Sequence, residues 1–449
     1  MVFYILRKYT LRVGFMKKIL VIGAGHGGMQ AAKVLAAGGF DVTVYEKSDI
    51  DHLSRDRWDT IETAVFEELD IPVPEGTFKD GCCAFVAPCS EKSLVVDLPE
   101  EKRDWTADRR VLAKQLANAA IDAGAKFVFG KTVEKLIFDN TGVRGIIVDG
   151  EEIRGDLVID ASGVFSPFRA SLPDRFGITK QPDKSDVFYT WDAFMSSNPD
   201  VQYPDYYGFL MHLKYKGEKC VAWCVEEFDD KCAAFIGKAG GMNKEEFDRL
   251  YAELKKDYPF MGDEILRGGE FQNIPIRYPL SKMVADGYAA VGDSAFMTIP
   301  LIGCGVANSL RAGQILGEKI VEANDVSVDT LWKYQVEYYQ KTGAPCCLID
   351  CIKRFLLNAD NDELKFLFES EIISNEELSN ILNGRFSLIS ASKLIDKIKK
   401  AHKIKGLFGG LFKAALSGLN AMRIAVSIPK EYNPLKVRQW QAKLEDAMK

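Results

Sequence analysis

Apolar positions along this chain recur in three rhythms, and each predicts a different kind of element. The first is continuous: Ile19 to Ile22 is an unbroken apolar run, which suits a parallel strand covered on both faces better than an edge strand. Leu157 to Ile159 and Tyr288 to Val291 repeat it far along the chain. The second rhythm is helical. Trp105 to Gly124 has a helix start at Asp108 and an apolar face of Val111, Leu112, Leu116 and Ala120. Helices are also predicted from Trp58 to Leu69, before Pro72 and Pro74 break the pattern, from Asn243 to Lys256, and from Val306 to about Glu322. The third rhythm alternates. Val187 to Phe194, Tyr207 to Leu213 and Lys219 to Val225 lie among turns and predict a sheet with one face free to meet a substrate. Residues 78 to 98 alternate loosely and predict strands of the same second domain, while Val133 to Phe138 and Gly145 to Val148 read as a hairpin-like pair.

The first strand leads directly into glycines. Gly23, Gly25 and Gly28 satisfy G-x-G-x-x-G: one for a tight turn, one for room against bare backbone for a pyrophosphate, one for close packing of helix on strand. The helix that follows is alanine-rich (Ala31, Ala32, Ala36, Ala37), so it can lie close to a sheet, and Gly38 with Gly39 ends it. A second strand, Asp41 to Tyr45, delivers Glu46, 18 residues beyond Gly28. An acid there can accept hydrogen bonds from both ribose hydroxyls of an adenosine, while the free N–H groups and dipole of the helix start face the diphosphate. The stretch reads as a dinucleotide site. His26, at one of the x positions, is expected to face solvent. Arg55, Arg57 and His52 read as a solvated charged loop, or else as the mouth of a pocket.

A chain of 449 residues with 47% hydrophobic and 27% charged residues is long enough for two or three ordinary soluble domains. Its net charge of −6 argues against nucleic acid as a partner. That charge is unevenly spread: Gly384 to Lys449 carries 14 Lys+Arg against 4 Asp+Glu, so +10 there and −16 elsewhere. Within it, residues 395 to 428 join the basic run KIKKAHKIK to an apolar stretch that Lys413 and Arg423 interrupt. This predicts a packed helical cap or an interfacial helix on an anionic membrane, not a span. Ten cysteines without a secretory signal predict a reduced, cytoplasmic setting. Cys346, Cys347 and Cys351 lack zinc spacing, and no metal site is predicted. Residues 1 to 15 are expected to be a ragged extension.

Near residue 290 the buried-strand pattern runs into Gly292-Asp293, then a Pro300-x-x-Gly303-x-Gly305 turn, then a helix opening at Val306. Ser294 is not a nucleophile elbow of the G-x-S-x-G kind, because Phe296 stands where the last glycine belongs. Taken in order, Gly23 to Gly28 with Glu46, Gly155 to Arg169, and VGDSAFMTIPLIGCG resemble the p-hydroxybenzoate-hydroxylase superfamily of FAD enzymes, with the closer likeness to the geranylgeranyl-reductase branch. Arg109 matches that family's arginine at the head of a helix, and Ala161-Ser162-Gly163 its ADG block, with Ser162 in place of the aspartate. The reductases' Y-x-W-x-F-P signature is incomplete: Tyr189-Thr190-Trp191 lacks F-P, and Tyr207 to Met211 fills roughly its slot.

The resemblance implies an α/β fold: a Rossmann-like FAD-binding domain of the glutathione-reductase/p-hydroxybenzoate-hydroxylase type, an inserted and mainly antiparallel β-sheet substrate domain, and a helical C-terminal region. The expected divisions are 16–75, 100–178 and 285–325 for FAD, 76–99 and 179–284 for substrate, and 326–449 for the helices. FAD is expected on Gly23, Gly25, Gly28, Glu46, Arg109, Gly163, Gly292, Asp293, Pro300, Gly303, Gly305 and Val306, with Asp293 on the ribityl hydroxyls. Tyr189, Trp191, Tyr207 and Cys304 are the candidate pocket walls, and no catalytic residue is assigned. The implied reaction is reduction of C=C bonds in an apolar substrate, isoprenoids included, by hydride from reduced flavin. The alternatives are a flavin monooxygenase acting on an aromatic ring and a non-catalytic, membrane-tethered flavin or lipid carrier. No second glycine fingerprint exists for a resident nicotinamide, so electrons are expected from transiently docked NAD(P)H or a redox protein. The expected location is cytoplasmic, with peripheral contact to the inner face of the membrane through residues 395 to 428.

Overall fold

The computed structural model describes residues 16–79, 81, 83–198, 200, 201, 209–227, 231–369, 378, 379, 393, 395 and 409–449. Tyr207, residues 1 to 15 and nearly all of the basic run before residue 409 lie outside them.

The three continuous apolar runs come together in one sheet. Its order is Val284–Ala285, Tyr288–Ala290, Leu157–Asp160, Lys18–Ile22, Asp41–Glu46, Lys126–Phe129, and all neighbours are parallel except the Val284–Ala285 pair. Ile19 lies between Leu157 and Val42. Ile19, Leu20 and Val21 have no exposed surface, as the absence of alternation requires. The helix His26–Ala37 returns over this sheet and packs tightly on the helix Val306–Ala323. Two glycines make that approach possible. A methyl group on Gly313 would stand 2.1 Å from the Gly27 carbonyl oxygen, and one on Gly317 2.6 Å from Val34 Cβ.

A second sheet of seven strands has the order Met261–Pro275, Val187–Ser197, Lys231–Ala239, Cys220–Glu227, Phe209–Leu213, Cys83–Val86, Leu94–Val96. It is antiparallel except where Phe209–Leu213 runs with Cys83–Val86. The helix Lys244–Asp257, capped by Asn243 and Glu246 in a reciprocal box, covers one face with Leu250 and Leu254. The other face meets the C-terminal helices Ala344–Asn358, Asn361–Glu369 and Gly409–Val426 across a cavity. This is a Rossmann-like fold with a second sheet and a helical C-terminal region.

A buried ion cluster ties the helix Ala344–Asn358 down. Asp350, fully buried, pairs with Lys353 at 2.9 Å and Arg354 at 3.0 Å and accepts the Tyr278 amide at 3.1 Å. Burial alone would raise its pKa, but the two cations hold it below the usual value.

Two expected elements differ. Trp58 to Leu69 is not one helix: Trp58–Ile61 is a strand paired antiparallel with Trp105–Asp108, and only Ala64–Glu68 is helical. Trp, Thr and Ile suit a pleated surface, and a partner strand was at hand. In the helix Arg109–Asp122 the buried face is Leu112, Ala113, Leu116, Ala117 and Ala120, and Val111 is exposed. The small alanines, not the branched valine, are what let this helix sit close.

Candidate active site

The glycine turn has the shape its sequence demands. Gly23 has φ +85°, donates its N–H to the Tyr45 carbonyl at 2.8 Å, and would put a Cβ 2.8 Å from the Ala161 carbonyl oxygen. A Cβ on Gly28 would lie 2.7 Å from that of Ala161. The turn therefore rests directly on the end of the strand Leu157–Asp160. Glu46 points back at it, accepting the amides of Ala24 at 2.7 Å and Ser48 at 2.9 Å.

Beside the turn lies Asp160, with no exposed surface, accepting from Ser162 Oγ at 2.6 Å, from Ser166 Oγ and from Tyr288 Oη at 2.7 Å. Ser162 is thus spent on Asp160. Gly163, at φ +102°, turns the chain away toward Arg169, which is fully buried and donates to the Lys180 carbonyl at 3.0 Å and to the Ser294 and Val164 carbonyls. Ser294 donates to the Val291 carbonyl at 2.8 Å and is also fully buried, so it has no nucleophilic role.

Asp293 follows Gly292 (φ +70°) in a short turn. Its Oδ1 stands 3.5 Å from where a Cβ on Gly305 would be. Burial raises its pKa, opposed by Arg55 and Arg109. The next turn closes on itself, with the Ile299 amide on the Cys304 carbonyl and the Gly303 amide on Ile299, both at 2.8 Å, and hands over at Gly305 to the helix Val306–Ala323.

Arg109, the first residue after its helix cap Asp108, reaches Asp59 at 3.0 Å and Ser54 Oγ at 3.3 Å. Arg57 lies between Asp59 at 3.7 Å and Asp192 at 3.8 Å. Arg55 donates to the Asn273 carbonyl at 3.0 Å and has no carboxylate within ion-pair distance among the described residues. Burial and then Arg109 push its pKa down to about 10. The sequence favoured a solvated loop here. Instead Arg55 and Arg57 line a cavity, while His52 is exposed beside Asp49. His26, expected in solvent, is buried at 8% exposure.

That cavity holds about 720 Å³, within the range of a ligand site. Its lining includes Pro300, Gly303, Cys304, Gly305, Val306 and Arg109 of the glycine-turn region. It also includes residues of the seven-stranded sheet, such as Phe85, Met211, Val221 and Phe235, and of the C-terminal helices, such as Leu356, Leu367, Phe368 and Leu411. Burial pushes the Cys304 thiol up to about 12. Tyr189 and Trp191, guessed as pocket walls, are not on it. Strand residues alternate faces, and Phe188, Asp192 and Phe194 take the cavity side. Trp191 lies on the other, its ring 5.3 Å from Phe247 and its Nε1 donating to the Gly269 carbonyl at 3.1 Å. The sequence expects a helical cap over residues 395 to 428, and Leu411 and Ala415 of that stretch line the cavity; residues 352 to 368 of the same wall are not singled out by sequence, because nothing in a helical apolar face says which cavity it will close.

A family model described as FAD dependent oxidoreductase matches residues 100–303. The digeranylgeranylglycerophospholipid reductase of Sulfolobus acidocaldarius is 23% identical over 380 residues, 80% of this chain and 82% of that protein. The digeranylgeranylglycerophospholipid reductase 2 of Methanococcoides burtonii is 26% identical over 417 residues, 89% and 97% of the two chains. A geranylgeranyl bacteriochlorophyll reductase-like protein from Thermoplasma acidophilum superposes with a TM-score of 0.69 at 18% identity, covering 86% of this chain and 99% of that one. The chain is an FAD-dependent oxidoreductase. Within that class its likeness is to the geranylgeranyl-reductase branch.

Proposed function

We propose that this chain reduces C=C bonds of a long, apolar, isoprenoid-type chain held in the 720 Å³ cavity. The observation that carries the reading is the cavity's lining: it brings the glycine turn Gly303 to Val306 together with a mainly apolar wall from the seven-stranded sheet and the C-terminal helices, with charged side chains such as Arg57, Asp192, Lys214 and Lys353 among it.

The residues around the turn fit FAD. Gly23, Gly25 and Gly28 leave bare backbone at the start of the helix His26–Ala37, where its unpaired N–H groups suit a diphosphate. Glu46 suits the adenosine ribose. Arg55 and Arg109 supply cations, Asp293 suits the ribityl hydroxyls, and Gly163, Gly292, Pro300, Gly303, Gly305 and Val306 complete the cradle. Bound FAD supplies the hydride. The protein's part is to hold the substrate's double bond at the Gly303 to Val306 end and to keep water out with the C-terminal helices.

No helix among the described residues is long and apolar enough to cross a membrane. The helix Gly409–Val426 lines the cavity with Leu411 and Ala415, while Lys413, Leu416 and Arg423 face out. In this reading that outer face rests on the anionic inner surface of a membrane, from which substrate enters. NAD(P)H docking transiently, or a redox protein, supplies electrons.

The test is incubation of the protein with FAD, a chemical or nicotinamide reductant and a geranylgeranyl-bearing lipid in vesicles, followed by mass spectrometry. Gain of two hydrogens per double bond is the expected result. Unchanged lipid, together with addition of one oxygen to an aromatic substrate, would replace the reductase reading with the monooxygenase one.

A further inference from the structure

The helix that opens the glycine turn begins with a histidine, and the main reading has no use for its side chain. His26 is 8% exposed, and its Nε2 has no hydrogen-bond partner among the described residues. A polar atom buried this way is costly unless something satisfies it. Gly25 before it lies against the Ala161 carbonyl, and Gly27 after it against the Ser309 carbonyl. His26 is thus a buried side chain, its Nε2 unpartnered among the described residues, at the start of its own 12-residue helix, flanked by glycines packed on residue 161 and on the helix Val306–Ala323. Arg109 and Arg55 are both near enough, with burial, to keep it neutral. A neutral imidazole brings one N–H without adding charge.

Donors gather here: the first-turn amides, the guanidiniums of Arg55 and Arg109, and an imidazole nitrogen without a partner among the described residues, beside Asp59 on Arg109 and the nearby carboxylate of Asp293. Such a set of donors fits a polyoxygen anion. Resting on the FAD reading above, we propose that His26 is a cofactor-binding residue whose Nε2–H donates to an oxygen of the diphosphate of FAD, beside Arg55.

The test compares the full-length parent with His26→Leu and His26→Gln by titration with FAD and with riboflavin, which lacks the diphosphate. His26→Leu is expected to bind FAD about tenfold more weakly and riboflavin as the parent does, with His26→Gln recovering most of the loss. In parent protein labelled with nitrogen-15 in its four histidine rings, the His26 signal is expected to move with FAD and not with riboflavin; this readout stands even where a variant fails to fold. Equal FAD affinity in His26→Leu, an equal loss for FAD and riboflavin, or a His26 signal indifferent to FAD would overturn the proposal. A parent that bound no FAD would instead remove the reading on which it rests.

Discussion

Asp293 is the residue on which the charge balance of the site turns. It is the acid that faces both Arg55 and Arg109, and Arg109 is otherwise answered by Asp59. Replacing it with Asn keeps the shape, removes the negative charge and one of the two acceptor oxygens proposed for the ribityl hydroxyls, and leaves Asp192 as the carboxylate acting on Arg55. Asp293→Asn is therefore expected to weaken FAD binding by roughly tenfold or more, measured by fluorescence titration. Unchanged affinity would show that Asp293 does not touch the cofactor. In the sequence, Arg55 and Arg57 read as a solvated charged loop or the mouth of a pocket, and Arg109 as the family's arginine at a helix head. Arg55 and Arg57 become a site because strand Trp58–Ile61, pairing with Trp105–Asp108, carries them to the head of the helix that starts at Arg109.

At the scale of elements, the contact between His26–Ala37 and Val306–Ala323 joins the two halves of the proposed FAD site. It depends on glycine: with 2.1 Å between a Gly313 Cβ and the Gly27 carbonyl oxygen, even alanine must push the helices apart. Gly313→Ala is expected to cost about 1–3 kcal/mol, seen as a lower thermal midpoint and as weaker FAD retention together. A second contact is pH-dependent. Lys282, 8% exposed, donates to the Phe176 carbonyl at 2.7 Å and lies 5.5 Å from the centre of the Tyr432 ring. Burial, then Arg438, pushes its pKa down to about 8 from an ordinary 10.5. Between those values the unfolded chain holds the proton and the folded one does not, so stability rises with pH from about 8 to about 10.5. Lys282→Met is expected to be flatter across that window in urea unfolding. A parent and variant that ran parallel would show the amine to be charged in the fold.

For the whole molecule, the cavity exists only where the seven-stranded sheet meets helices from the last hundred residues. The helix Gly409–Val426 reaches it because Gly418 lets it close on Leu348, where a Cβ would stand 2.6 Å from Leu348 Cδ1. Ala415, on the same helix, has 1% exposure and lines the cavity. Ala415→Trp is expected to fill part of the volume. Turnover of a geranylgeranyl chain should then fall at least tenfold, chiefly through KM, while a single-prenyl substrate is turned over as before. Equal losses for both would mean that the chain does not extend past that helix.

Legible in the chain alone were the parallel sheet, the glycine turn with Glu46 beyond it, and the strand running into Gly292-Asp293 and its following glycines, because these are local: a continuous apolar run, a fixed spacing, a backbone angle that favours glycine. It took the folded molecule to make Trp58–Ile61 a strand, to turn Trp191 away from the cavity and Asp192 toward it, to bury His26, and to choose which apolar helix faces close the chamber. Each of these depends on a partner far away in the chain, and hydrophobicity has no direction: a pattern says that a face will be buried, while the neighbour that buries it is set by how the rest of the molecule comes together.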